Sequence, residues 1–445
     1  LIEKYDVPSP RYTSYPTVPY WQDNLTAAGW QASLRRTFDR SQAAGLSLYL
    51  HLPYCEKLCT YCGCNKRITT SHSVERPYIE VLLREWELYR AVFGRRPRLA
   101  EMHLGGGTPT FFSAENLRWL VGSLLETADV LPDAALSLEV HPNYTRRDQL
   151  EALHDLGFRR LSVGVQDFDP RVQHIINRPQ TFEQTKRTFD EARAVGYESV
   201  NADIIYGLPL QTADSVQMTI ERVRQLRPER IAFYSYAHVP WKSPAQRRYT
   251  EADLPAAAEK RRLYELGRDR LLEAGYVEIG MDHFALPDDE LCAAHAAGTL
   301  HRNFMGYTTR HTELLVGLGA SSISDTWDAF AQNIKEVEPY MAAVNEGRLP
   351  LTKGHLLDDE DRLVRRHILN LMCRHETAWN EPTPARLRDA LVRLQPLAAD
   401  GLVETDTHRI RVTETGRPFV RNIAMQLDEH YRQRQATGPV FSQSV

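Results

Sequence analysis

The sequence predicts an α/β protein: a partial (β/α)6 barrel with an N-terminal arm and a mostly helical, winged-helix-like C-terminal domain. Two observations carry the barrel. Six short apolar runs alternate with amphipathic stretches of helical period, the pattern of buried parallel strands and crossover helices. Glycines, cysteines and polar residues stand where those runs stop, and barrel enzymes gather their chemistry at the C-terminal ends of strands. A third observation sets off the C-terminal part. From about residue 355 the pattern changes to helices followed by a strand pair.

A chain of 445 residues can bury a large core and one or two accessory parts. We expect an arm over residues 1–44, the barrel and a substrate-covering extension over 45–345, and the helical domain over 346–445. A net charge of −4 with 25% charged residues implies no polyanionic partner. Only Cys292 and Cys373 lie outside one cysteine-rich loop, which is the usage of a reducing compartment. No apolar run reaches the roughly 20 residues needed to cross a bilayer, and no leader pattern opens the chain. The expectation is a cytoplasmic monomer without a membrane span.

The arm carries Pro8, Pro10 and Pro16 around Arg11, Tyr12 and Tyr15. Prolines at this density keep it out of a helix, so it should lie extended over something larger. The apolar runs follow at Leu46–Leu52, Leu99–Leu104, Ala135–Val140, Arg160–Val165, Val200–Tyr206 and Ile231–Ala237. Helical patterns separate them near 75–93, 114–127, 147–156, 181–195, 213–226 and 256–274. The second run stops at Gly105-Gly106-Gly107-Thr108, where backbone amides can approach a ligand closely. The third stops at Glu139 and His141, the fourth at Gln166 with Arg178 shortly after, the fifth at Asp203, and the sixth at Ala237. Together they form a polar ring suited to sugar hydroxyls, the edge of a purine base and a carboxylate.

The first run stops at Cys55-x3-Cys59-x2-Cys62-x-Cys64. Soft thiolates this close suggest zinc or an iron–sulfur cluster. Structural zinc favours four sulfurs from two separated pairs. Three cysteines on one short loop instead suit one corner of a [4Fe–4S] cube, with an iron left open. Cys64 is poorly placed to be a fourth ligand.

Cys55-x3-Cys59-x2-Cys62 resembles the cluster motif of radical S-adenosylmethionine enzymes. The continuation Cys64-Asn65-Lys66 and the string Arg11-Tyr12-Thr13-Ser14-Tyr15-Pro16 resemble the oxygen-independent coproporphyrinogen III oxidase family. So do Gly280–Ala285, His301–Thr309 and Gly317–Ser324, and the likeness covers nearly the whole chain. The resemblance implies that Cys55, Cys59 and Cys62 hold the cluster and that Tyr61 packs beside it. It implies that Tyr49, Gly106, Gly107, Thr108, Glu139, Gln166, Arg178, Asp203 and Ala237 line sites for two molecules of S-adenosylmethionine. His141 departs from the acidic or amide residue expected there. Arg11, Tyr12, Lys242 and Arg302 are the expected substrate residues. The implied reaction uses a 5′-deoxyadenosyl radical to convert two propionates of coproporphyrinogen III to vinyls, giving protoporphyrinogen IX for haem synthesis. It needs an electron donor and an electron acceptor. Rival readings are a haem-binding chaperone of the same superfamily, a radical enzyme acting on another tetrapyrrole, and a zinc-stabilised regulator.

The helix-then-wing order at the C-terminus raises DNA binding. Residues 381–435 hold nine Lys/Arg and eight Asp/Glu, which is no basic stripe, so no nucleic acid is expected.

Overall fold

The computed structural model describes residues 1–433 and Phe441. Six parallel strands form its centre: β1 (Leu46–Leu52), β2 (Arg98–Gly106), β3 (Asp129–Val140), β4 (Arg160–Gln166), β5 (Ser199–Tyr206) and β6 (Arg230–Ser235). Helices α1 (Glu75–Phe93), α2 (Ala114–Glu126), α3 (Arg147–Asp155), α4 (Phe182–Val195), α5 (Ala213–Leu226) and α6 (Ala257–Glu273) follow them in turn. The sheet does not close on itself. Beyond β1 it continues through Leu315–Leu318, Ile323–Asp325, Ala329–Asn333 and Leu351–Leu356; beyond β6 it continues through His283–Ala285 and Val277–Gly280. The strand at 351–356 therefore extends the sheet past residue 345.

Local chemistry explains the element ends. The α4 helix opens on a reciprocal capping box, in which Thr181 Oγ1 accepts from Gln184 N–H at 3.1 Å and Gln184 Oε1 accepts from Thr181 N–H at 2.8 Å. It stops at Gly196, whose φ of 114° costs a glycine little. Helix α1 likewise stops at Gly94, φ 70°. Leu48, Leu50, Leu52, Leu104, Leu138, Val163 and Ile204 pack in one core with helix residues such as Leu82, Trp86, Phe189 and Val223. The alternate strand positions are polar and face the concave side.

The arm is ordered. Tyr5, Tyr12 and Tyr15 join the core of the C-terminal part with Ile368, Leu402 and Phe419. The buried Arg421 guanidinium donates to the Ser9 and Pro10 carbonyls, and the Tyr431 hydroxyl donates to Pro8 O at 2.9 Å. Arg11 reaches the other way, donating to Ser235 O at the end of β6 at 2.8 Å.

The C-terminal part comprises helices Asp359–Arg374 and Ala385–Ala399 and the expected hairpin, formed by Val403–Thr405 and Arg409–Val412. A third strand, Glu376–Ala378, pairs with the second hairpin strand. Three residues carry no periodic signal, which is why the sequence does not announce it. Among the described residues no helix is long and apolar enough to cross a membrane.

Replacing Arg421 with Met removes the charged donor from two buried carbonyls. The expected cost is about 3 kcal/mol in urea unfolding, together with faster protease cleavage within residues 1–20.

Candidate active site at the cysteine loop

The concave face is built by register. Tyr49 stands beside His103, which stands beside Ser137. One step along, Glu139 is beside Ser162, and Ser162 is beside Asn201. Their side chains bond along these rows. The Tyr49 ring stacks on His103, centroids 6.0 Å apart, and His103 contacts Ser137 Oγ at 2.8 Å and Glu139 Oε1 at 3.3 Å. Ser162 and the Asn201 amide each donate to Asp203, both at 2.8 Å. Burial is the main reason that the Asp203 carboxyl is pushed up to about 6. His103, Ser137, Glu139, Ser162, Asn201 and Asp203 line a small lumen that also receives Tyr234, His283 and Tyr307.

The cysteine loop caps the end of β1. Thr60 N–H donates to Ile176 O at 2.9 Å, and Asn177 Nδ2 donates to Leu58 O at 2.6 Å. Gln246 Nε2 donates to Tyr61 O at 3.0 Å and to Ala237 O at 3.3 Å, tying the loop to the segment after β6. His51 fixes the other side: Nε2 donates to Asn65 O at 2.8 Å while Nδ1 accepts from the Tyr49 hydroxyl at 3.1 Å. The Tyr61 ring packs with Val172, Ile176, Leu208 and Tyr236.

Charge is arranged around the sulfurs. Cys55 Sγ lies 3.3 Å from Thr108 Oγ1, and burial pushes its thiol up to about 11. The Cys62 thiol is held down at about 6, first by a hydrogen bond with Cys64. Arg178 Nη1 donates to Cys59 Sγ at 3.5 Å and Nη2 to Gly164 O at 2.6 Å, while its Nε has no partner among the described residues. Gln166, just past the bulge at the end of β4, has φ 65°, a conformation uncommon outside glycine. At Gly107 an added Cβ would lie 2.7 Å from the Pro53 carbonyl, so the glycine lets the β2 end close against the cysteine loop.

These features test the expected cofactors. Tetrahedral zinc with bonds near 2.3 Å brings its sulfurs to about 3.8 Å of one another. Among the described residues, the one group of three His, Cys, Asp or Glu ligand atoms mutually within 4.8 Å is His355, Asp361 and His430. No three of the loop sulfurs lie mutually within 4.8 Å, as tetrahedral zinc would require, and Cys64 is exposed. Three spread thiols beside a buried guanidinium with a spare N–H suit a larger anionic cluster.

The structure thus gathers Cys55, Cys59, Cys62, Tyr61, Thr108 and Arg178 at one mouth, with Tyr49, Glu139 and Asp203 on the concave face below. The substrate expectations scatter. Tyr12 donates its hydroxyl to Asp428 at 3.0 Å, inside the C-terminal core. Lys242 lies on the surface, Arg11 bonds to Asp282 at 3.3 Å, and Arg302 is buried. His51, His103 and the Asp282–His283 pair were not singled out as individual residues from sequence. The first two share the strand face of Tyr49 and Gly105 at period two, the one signal that could have found them.

Comparisons with known proteins agree with this geometry. Residues 49–223 match the radical SAM superfamily and residues 357–419 the HemN C-terminal domain. The fold and its cysteine loop make this a radical SAM protein, a class whose members carry a [4Fe–4S] cluster and S-adenosylmethionine. The oxygen-independent coproporphyrinogen III oxidase of Pseudomonas aeruginosa is 40% identical over 439 residues, spanning 97% of this chain and 95% of the relative. That of Escherichia coli K12 is 40% identical over 441 residues, spanning 98% and 95%. The solved structure of coproporphyrinogen III oxidase (HemN) from Escherichia coli superposes with TM-score 0.89 at 39% identity, covering 94% of this chain and 97% of that one. The chain belongs to the oxygen-independent coproporphyrinogen III oxidase family.

Gly107→Ala forces its new methyl onto the Pro53 and Tyr54 carbonyls, at an expected cost of about 1–3 kcal/mol. Bound iron per chain and absorption near 400 nm should fall with it. Asp203 gives a pH signature. Its carboxyl titrates near 3.8 unfolded and about 6 folded, so the folded state binds the extra proton and stability drops as pH rises through that window. Asp203→Asn removes this slope; urea unfolding at pH 4 and pH 6.5 should show wild type losing ground to the variant.

Proposed function

We propose that the protein performs the anaerobic oxidative decarboxylation of two propionates of coproporphyrinogen III to vinyls, yielding protoporphyrinogen IX in haem biosynthesis. The observation that carries the reading is a three-cysteine loop set over a polar, half-closed lumen in a chain that aligns end to end with such oxidases. When bound, the cluster and S-adenosylmethionine supply one-electron chemistry able to remove hydrogen from an unactivated carbon.

The protein's own residues supply position and enclosure. Cys55, Cys59 and Cys62 hold the cluster, with Cys64 outside the ligand set, and Arg178 neutralises charge at Cys59. Gly106, Gly107 and Thr108 present backbone and a hydroxyl at close range, while Tyr49, Tyr61, Glu139, Gln166, Asp203 and Ala237 contact two molecules of S-adenosylmethionine. The arm screens the mouth from water, which a reactive intermediate requires. Arg11, Tyr12, Lys242 and Arg302 serve the substrate, although Tyr12 does so only by anchoring the arm. We assign the arm to residues 1–44, the barrel and its extension to 45–345 and the helical domain to 346–445, the last sheet strand running over that border. A cytoplasmic monomer served by a separate electron donor and acceptor completes the reading. The wide sulfur spacing counts against the zinc regulator, and full-length kinship with the oxidases counts against the chaperone and the other tetrapyrrole enzyme.

The test is an anaerobic assay with reconstituted cluster, S-adenosylmethionine, reductant and coproporphyrinogen III, followed by chromatography of the porphyrins. Divinyl product is expected, and Cys62→Ala should reduce it to background. Deoxyadenosine formed while the substrate stays intact would overturn the substrate assignment.

A further inference from the structure

Arg302 is an anomaly of charge. It is 6% exposed, and its Nε and Nη1 have no hydrogen-bond partner among the described residues. No carboxylate of those residues lies within ion-pair distance of it. Its guanidinium carbon sits 4.6 Å over the Tyr307 ring, whose hydroxyl donates to Met372 O at 2.7 Å. A ring face offsets only part of the cost of taking a cation out of water. Asp282, the carboxylate whose charge couples to Arg302, is already engaged. Its Oδ1 contacts His283 Nδ1 at 2.7 Å and its Oδ2 accepts from Arg11 Nη1 at 3.3 Å.

The surroundings say what is missing. Tyr307 and His283 line the lumen, whereas Asp282 and Arg11 line a groove of about 1180 Å³ beneath the arm. Among the described residues Asp282 is the one carboxylate that bonds Arg11, and none bonds Arg302. Natural proteins rarely keep a buried guanidinium fork unfilled, and its planar N–H pair matches a carboxylate.

We propose that Arg302, assisted by Arg11 across Asp282, receives one propionate carboxylate of the tetrapyrrole and so selects substrates by their carboxylates. This deepens the oxidase reading and rests on it. Asp282 orients Arg11 without touching substrate, and the Tyr307 face holds the Arg302 guanidinium flat for a two-point contact.

The experiment uses the full chain with its cluster, held anaerobically, and coproporphyrin III as a stable tetracarboxylate probe read by fluorescence quenching. Its tetramethyl ester is the uncharged control. In Arg302→Met, affinity for the tetracarboxylate should fall about ten- to hundredfold, affinity for the ester should hold, and Tm should rise. The rise is the discriminating sign, because removing an unpaired buried cation relieves the fold, while removing a structural one weakens it. Arg302→Lys keeps charge but loses the fork; it should bind at least several-fold more weakly than wild type at unchanged Tm. Unaltered tetracarboxylate affinity in both variants, or an equal loss for the ester, overturns the proposal. Wild type failing to bind coproporphyrin III at all would instead overturn the tetrapyrrole reading.

Discussion

Strand register is the constraint on which the structure depends. In a parallel sheet a one-residue slip sends every side chain to the opposite face. Here such a slip of β1 against β2 would turn Leu48, Leu50 and Leu52 toward the lumen and drive Tyr49 and His51 into the helix-packed core. The leucines forbid it, since each would lose a fully buried position worth roughly 2 kcal/mol. The polar concave face is thus held in place by the apolar convex one. The Tyr49–His103–Ser137 row and the Glu139–Ser162–Asn201 row are consequences of that pinning, and the cysteine loop inherits its position from where β1 stops.

Buried cations do a second kind of organising. Arg178 joins three elements that are remote in sequence: Cys59 on the loop, Gly164 on β4 and its own segment after the short helix Pro170–Ile175. Arg421 donates to two arm carbonyls, and burial lowers its pKa to about 9. Each is tied to backbone oxygens: Arg178 to Gly164 O, and Arg421 to Ser9 O and Pro10 O.

The core of the fold was legible because its signals are local. Parallel strands buried on the helix side read as apolar runs, and α1 and α5 fall where the 3.6-residue period places them, at Glu75–Phe93 and Ala213–Leu226. The cysteine spacing and the glycine run are local as well. What the sequence hid is non-local. Strands such as Ile323–Asp325 and Glu376–Ala378 are three residues long and exist only through their antiparallel partners. Tyr12 and Arg302 posed a different difficulty. An aromatic or an arginine in a Pro-rich arm or a loop says nothing about which way it will turn, and Tyr12 turned to Asp428. Arg302 is informative only once the partners it lacks can be seen.

The arm also has an order of assembly built into it. Its anchors, Arg421, Asp428 and Tyr431, stand more than 400 positions from Pro8, Ser9, Pro10 and Tyr12. Residues early in this sequence are therefore held by residues more than 400 positions later. During synthesis β1 to β6 can pair before these anchors emerge, and the strap can settle only after residues 421–431 have been made. In the interval between these events the arm lacks the partners that bury Tyr5, Tyr12 and Tyr15.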